Sequence, residues 1–435
     1  MKKTIGIDLT PIQGPHRMRG VGSVVVNFIR HIPLTERKSN HFVFYLYDND
    51  IEEALRLAGI DDSFTYSLRM VTKQESLPPS IKTLKGMIYV PLRILRAAKI
   101  YLYGSDRLGD VGGLDVLLQF EQDVSPPPPK KIPTVVIAYD LIPYILESDY
   151  LWSYKTARQN HHYSRRGALL AQLRRSRYLM GIKRVMHLAH KIIAISEHTR
   201  NDFIRLAGVP ADKIETVHLG VAELKEDKGN SSAFGTVDRY VASFWGDVKI
   251  SSDLPRRPFL LFVGGADPRR KLADLIAAFN LLRAQEKDVR LVLAGDTMLG
   301  PNSIPNHEAA QAIQSSSYKD DIYFLGFVSD EVREWLYRNA LAFVYPTLYE
   351  GFGLPILEAM RYGTPVITYE NSSVKEISGD AALYAERFTE IAELSAKLLS
   401  DKSKLRNDIK RRGIAHVDKF SWSSAAKKML ASLQS

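Results

Sequence analysis

The 435-residue chain contains no cysteine. A disulfide framework, a thiol nucleophile and a zinc site built on thiolates are therefore excluded. Long apolar runs are missing as well: no stretch reaches the roughly 18 uninterrupted apolar residues of a spanning helix. The first residues, Met1-Lys2-Lys3 and then Thr4–Thr10 with Gly6 and Asp8 inside it, hold no apolar signal core. Neither secretion nor a membrane span is expected, and a cytoplasmic location is. Twenty-seven glycines and 21 prolines are an ordinary complement, which removes collagen-like and low-complexity readings. No self-similarity recurs at a period of about 20–50 residues, so solenoid arrays are set aside. With 45% hydrophobic and 25% charged residues, the chain has the composition of a soluble globular protein of two or three domains.

The formal net charge is +10, and its location matters more than its size. Residues 151–200 hold eleven Lys and Arg against one acid, Glu197, so this segment alone equals the net charge of the whole chain. A basic patch so confined points to an anionic partner: a membrane surface, a nucleic acid or a phosphorylated substrate. Within it, Leu169, Leu173, Ile182, Val185, Met186 and Ala189 recur at roughly helical spacing among the arginines. A second basic and apolar stretch, residues 81–103, repeats the pattern with Ile81, Leu84, Ile88, Leu92 and Leu95. Such helices suit the headgroup region of an anionic bilayer. They equally suit a sheet face, with solvated arginines outside.

Short β-branched and aromatic runs alternate with helix-like segments. Thr4–Asp8, His41–Leu46, Val116–Phe120, Thr134–Ala138, Lys191–Ile195 and Ile214–His218 read as strands in the first half. Phe259–Val263, Val289–Ala294, Ile322–Leu325, Leu341–Tyr345 and Pro365–Thr368 do so in the second. Alternation of this kind predicts an α/β chain with parallel sheets: two Rossmann-like doubly wound domains facing a central cleft. Boundaries are expected at residues 1–253 and 254–420, the polar stretch Glu223–Asp253 closing the first domain, with residues 421–435 forming a helix that packs back on it.

One segment is rich in chemical possibilities. A strand ending at Tyr345 runs into Glu350-Gly351-Phe352-Gly353-Leu354-Pro355, and Glu358 lies a turn into the helix that follows. Pro355 suits a first helical turn, whose free N–H groups and positive dipole end attract anions. Gly351 and Gly353 let backbone approach a ligand, and the two glutamates can address different parts of it. On spacing alone, a helix start with two solvated glutamates explains the segment equally well.

This stretch resembles the Glu-x7-Glu signature of glycosyltransferase family 4, the retaining, nucleotide-sugar-dependent enzymes of GT-B fold. Further segments resemble the same family in the expected order over nearly the whole chain. They are Arg19-Gly20-Val21-Gly22, Ile192–Arg200, Val217–Val221, Phe259–Lys271, Val292–Gly295 and Phe324–Glu331. The resemblance implies transfer of a hexosyl group from a UDP- or GDP-sugar to a glycan or lipid-linked acceptor, in cell-envelope polysaccharide or glycolipid synthesis. It implies a donor site of Gly22, Gly265, Arg269, Arg270, Lys271, Val328, Glu350, Gly351, Phe352, Gly353, Leu354 and Glu358. Glu358 would accept from the ribose hydroxyls, and Glu350 would lie near the donor sugar. An arginine and a lysine serve the phosphates in the family; aligned without a gap, Arg270 takes the lysine's place and Lys271 falls one later.

On the acceptor side, Val135–Pro143 resembles a strand end where many members have His-Asp, and here Tyr139-Asp140 stands instead. A tyrosine is a poor base near neutral pH. Asp140 is carried as an acceptor contact and catalytic candidate beside Glu350, Arg270 and Lys271; capping a turn before Pro143 accounts for it equally well. No metal constellation and no Asp-x-Asp clamp after a strand is present in the sequence. No metal or cofactor is therefore expected, the nucleotide sugar being a co-substrate. Expected partners are that donor, the acceptor and an anionic membrane surface through residues 81–103 and 151–200, with peripheral attachment at its inner face. Two rival readings remain: a GT-B protein that is not a transferase, of the sugar epimerase type, and a basic nucleic-acid-binding protein.

Overall fold

A computed structural model describes residues 2–14, 20–71, 108–122, 132–159, 161–223, 257–304, 307–400 and 404–434. The chain forms two compact units, one of Met1–Gly220 with Phe420–Ser435 and one of Val221–Lys419. The boundary expected near Asp253 and the basic stretch 81–103 lie outside the described residues.

In the first unit seven parallel strands stand in the order β3-β2-β1-β4-β5-β6-β7. They are β1 (Thr4–Asp8), β2 (His41–Leu46), β3 (Tyr66–Met70), β4 (Val116–Gln119), β5 (Thr134–Ala138), β6 (Lys191–Ala194) and β7 (Ile214–Thr216). The central strands are apolar on both sides because helices cover both faces of such a sheet; all five residues of β5 are buried. Its Val136 and Ala138 pack with Ile192 and Ala194 of β6 against Ile182, Val185 and Met186 of the helix Arg165–Leu188.

The second unit repeats the plan with six parallel strands in the order β10-β9-β8-β11-β12-β13. These are β8 (Phe259–Val263), β9 (Arg290–Ala294), β10 (Ile322–Gly326), β11 (Ala342–Tyr345), β12 (Val366–Tyr369) and β13 (Leu383–Ala385). In both sheets the first strand of the unit lies in the middle, beside the fourth, so the winding direction reverses there. The edge strands β3 and β13 escape sequence reading. Tyr66–Met70 is half-exposed and has no clean alternation, and Leu383–Ala385 is only three residues long.

The helix Trp422–Gln434 buries Trp422, Met429, Leu430 and Leu433 within the first unit. Ser432 Oγ donates to Glu215 of the loop-proximal strand β7. Gly220 admits this helix because it has no side chain: a Cβ there would lie 2.1 Å from the Trp422 backbone nitrogen. Backbone cannot swing aside as a side-chain tip can. Gly220→Ala is therefore expected to destabilise the first unit by about 1–3 kcal/mol, as overpacking does. Thermal unfolding of the purified variant checks this, and an unchanged transition would mean the contact is not made.

Candidate functional site

Ligands of doubly wound sheets bind beyond the carboxyl ends of the strands, where the winding reverses. In the second unit that point lies between β8 and β11, which pair through Ala342–Leu260 and Phe343–Leu261. The loops leaving these neighbours are therefore brought together although about 80 residues separate them. Leu348 N donates to Arg269 O at 2.7 Å, and Arg269 Nε to Tyr349 O at 3.1 Å.

Glu350 is the centre of the cluster and only 7% exposed. Its Oε1 accepts from Tyr345 Oη at 2.8 Å and Thr347 Oγ1 at 3.2 Å, and its Oε2 from Arg269 Nη2 at 3.3 Å. Arg270 Nε stands 3.5 Å from Oε1. Around the backbone, Glu350 N donates to Ser372 Oγ, and Ser373 Oγ donates to the carbonyls of Glu350 and Phe352. Burial alone would push this carboxyl up. The guanidiniums of Arg269 and Arg270, with the Tyr345 and Arg269 hydrogen bonds, outweigh burial and hold it below the usual carboxylate range. Glu350 is thus ionised at neutral pH. Its ionic contribution to stability is full above the unfolded-chain value of about 4.3 and is lost as pH falls through the lower folded one. Burial raises the Tyr345 phenol well out of the physiological range, so it remains a donor.

Arg270 reaches this position over bare backbone. Gly264 has φ +150°, and a Cβ on it would lie 2.6 Å from Arg270 Nη1. Gly295, at φ +147°, would carry its Cβ 2.1 Å from Gly264 O. Arg270 Nη1 donates to Gly265 O at 3.2 Å. Lys271 departs from its neighbours: its backbone is left-handed at φ +40°, and its Nζ stands 4.0 Å from Glu308. The structure gathers Arg269, Arg270 and Glu350, and turns Lys271 away from that carboxylate.

Gly351 and Phe352 are buried, and Gly353, at φ +107°, turns the chain into the helix Leu354–Arg361. Glu358, one turn in, accepts from Tyr337 Oη at 3.2 Å and lies 3.9 Å from Arg333 Nε. Burial raises its pKa, opposed by Arg333 and the Tyr337 hydrogen bond and aided by Asp330. Its side chain still keeps 27% of its surface accessible. Val328, nearly buried, precedes Ser329, whose Oγ accepts from Val332 N and caps the helix Asp330–Asn339.

Models of known families match segments of both units. The family model described as Glycosyl transferases group 1 matches residues 248–416, and the one described as Glycosyltransferase Family 4 matches residues 128–223. The chain belongs to glycosyltransferase family 4. The O-antigen chain mannosyltransferase B of Escherichia coli is 31% identical to it over 239 residues, 54% of this chain and 58% of that one. The MMP alpha-(1->4)-mannosyltransferase of Mycolicibacterium hassiacum is 28% identical over 261 residues, 57% of this chain and 55% of that one. The family-4 chain thus spans little more than half the length of these curated relatives. Among solved structures, HepE of Anabaena in complex with UDP-glucose matches with a TM-score of 0.59 and 14% identity, over 99% of each chain. At that identity the likeness shows the fold, and the fold is GT-B.

Three of the family-4 chain's expected site residues lie in the first unit. Gly22 is buried within the helix Gly20–Arg30. Asp140 Oδ1 accepts from Ile142 N at 3.0 Å, so it caps the turn before Pro143. Tyr139 N donates to Gln122 Oε1 at 2.7 Å, and Thr199 Oγ1 donates to Tyr139 O at 2.9 Å. The Tyr139 hydroxyl is buried without a hydrogen-bond partner. Burial and the neighbouring Glu121 charge raise its pKa far above the ordinary phenol value, which removes it as a base. Among the described residues no cluster of three or more His, Asp or Glu is placed to hold a metal ion.

Sequence reading missed Tyr345, Thr347, Tyr337 and Arg333, the side chains that hold the two glutamates. Tyr345 was in view as the last residue of a strand five positions before Glu350. Arg333 carried no signal, since only the packing of its helix beside Leu354–Arg361 brings it to Glu358. Because Glu358 titrates above the ordinary range, any ligand hydroxyl it accepts from is expected to be released at a less acidic pH than an ordinary glutamate would require. Nucleotide affinity followed from pH 7 to pH 4.5 is expected to fall early in the native chain and to stay flatter in Glu358→Gln. Parallel curves would remove Glu358 from the binding site.

Proposed function

We propose that the family-4 chain is a glycosyltransferase that moves a hexosyl group from a nucleoside diphosphate sugar to a glycan or lipid-linked acceptor, retaining anomeric configuration and using no metal. The observation that carries this reading is the pairing of Arg269 and Arg270 over a buried carboxylate beside the helix start at Gly353–Leu354. A leaving diphosphate gains negative charge as the glycosidic bond breaks. Guanidiniums and oriented N–H groups already fixed in place stabilise that charge more than they stabilise the ground state. Two relatives that are mannosyltransferases and the UDP-glucose bound to HepE support a hexose on a nucleotide carrier. An O-antigen relative supports work on cell-envelope polysaccharide.

In this reading Arg269 and Arg270 take the diphosphate, Glu358 accepts from the ribose hydroxyls, and the backbone near Phe327–Val328 faces the base. Glu350 orients the two cations and the donor sugar. Its oxygens are already committed to Tyr345, Thr347 and Arg269, which argues against a nucleophilic role. As the bond from the anomeric carbon to the phosphate oxygen breaks, the acceptor oxygen bonds to that carbon from the same face, and its proton passes to the departing phosphate. Among the described residues no helix is long and apolar enough to cross a membrane. A lipid-linked acceptor would be met by peripheral attachment at the inner membrane face.

Titration calorimetry with UDP, GDP, ADP and NAD in chelator tests the donor class; one diphosphate is expected to bind saturably and NAD not at all. Glu358→Ala is expected to weaken that binding by about 1.5–3 kcal/mol, the worth of a hydrogen bond to a charged group. Glu350→Ala is expected to lower transfer about 100- to 1000-fold, as loss of a fixed electrostatic element does. Near-native behaviour of both variants would overturn the site, and salt-sensitive DNA binding in place of nucleotide binding would overturn the function.

A further inference from the structure

The helix Arg165–Leu188 is apolar on two opposite sides, and the fold uses one of them. Ile182, Val185 and Met186 are buried in the first unit's core. At 3.6 residues per turn, Arg166, Leu169, Leu170, Leu173, Arg177 and Met180 share the face turned the other way. There Leu169 is 54% exposed, Leu170 58%, Leu173 56% and Met180 49%. The apolar positions that the sequence offered as one stripe therefore divide: Ile182, Val185, Met186 and Ala189 are core, while Leu169 and Leu173 are surface. Single exposed leucines need no explanation, but three within little more than one turn form a patch.

The charges on this helix have one sign. The helix contains no acidic residue. Arg175 is consumed within the fold, 3.2 Å from Glu147 and donating to the carbonyls of Tyr144 and Leu151. Arg165, Arg166, Arg174 and Arg177 are exposed and have no carboxylate partner among the described residues. Arg165 and Arg166 sit in the first turn, where the helix dipole disfavours cations. Among the described residues no carboxylate pairs with them to offset that cost. Aromatic rings gather at the same end: Tyr154 and Tyr163 are exposed, and Trp152 stacks on His161 at 3.8 Å and meets Tyr163 edge-on at 5.2 Å.

We infer that this face docks on the surface of an anionic lipid bilayer. The leucines and Met180 enter the boundary between headgroups and acyl chains, the arginines lie on the phosphates, and the aromatic rings sit at headgroup level. A nucleic acid would match the arginines and leave the leucines in water. A second copy of the chain would cover the leucines and oppose like charges. The inference extends the proposed transferase without depending on it, because attachment is read with no donor present.

The test is co-sedimentation of the full chain with vesicles of phosphatidylcholine alone and of phosphatidylcholine with phosphatidylglycerol. Binding is expected only to the anionic vesicles and is expected to weaken with added salt. The triple variant Leu169→Ser/Leu170→Ser/Leu173→Ser and the double variant Arg166→Glu/Arg177→Glu are each expected to lower vesicle affinity about tenfold or more. Both are expected to keep the native melting curve, since none of these side chains packs in the core. Failure of the native chain to bind anionic vesicles, or native-like binding by both variants, overturns the inference. So does a dimer that the triple variant converts to monomer, or duplex DNA that displaces the vesicles.

Discussion

Two guanidiniums held against one buried carboxylate organise the second unit's site. Neither Arg269 nor Arg270 would sit near another cation without a countercharge, and Glu350 would not stay ionised in so dry a place without both. The rest of the site follows from making this contact possible. Gly264 clears the space that Arg270 crosses, Gly295 lets the Gly264 backbone come close, Tyr345 and Thr347 fix the remaining lone pairs, and Ser372 and Ser373 pin the loop from behind. The contact itself rests on sheet order. Had β8 and β11 not been neighbours, the arginines and the glutamate would lie on separate loops.

The two glutamates of this family-4 chain sit one turn and a loop apart, yet their surroundings push their titration in opposite directions. Glu350 is pulled down by cations at hydrogen-bond range. Glu358 is raised by burial against a guanidinium that stays 3.9 Å away. One site therefore offers a charge fixed over a wide pH range and another that responds to mild acid. That difference suits the first to electrostatic work and the second to a hydrogen bond that must form and dissolve with each ligand.

The central strands were legible because their β-branched runs are unbroken: Thr134–Ala138 and Phe259–Val263 stand where the sequence put them. Edge strands were not, since a half-exposed or three-residue strand lacks a run to read. The Glu350 loop was legible from its glycines and from Pro355. Its contact with Arg269 was not, because that arginine meets it through pairing between distant strands, which no local spacing records. Lys271 shows the same limit at close range: one left-handed residue separates its direction from that of Arg270. The basic helix was read as amphipathic, but which leucines faced the core depended on where Ile182 and Val185 found β5 and β6.

The first unit is not continuous along the chain. Its last helix, Trp422–Gln434, closes over Gly220 only after the entire second unit, Val221–Lys419, has been traversed. A ribosome delivers those parts in sequence, so the order of synthesis differs from the order of the architecture. The second unit can complete its own core as soon as Lys419 emerges, whereas the first must wait with the surface that receives Trp422, Met429 and Leu433 uncovered. Residues made first are thus finished last, and the exposed interval is set by the length of the unit inserted between them.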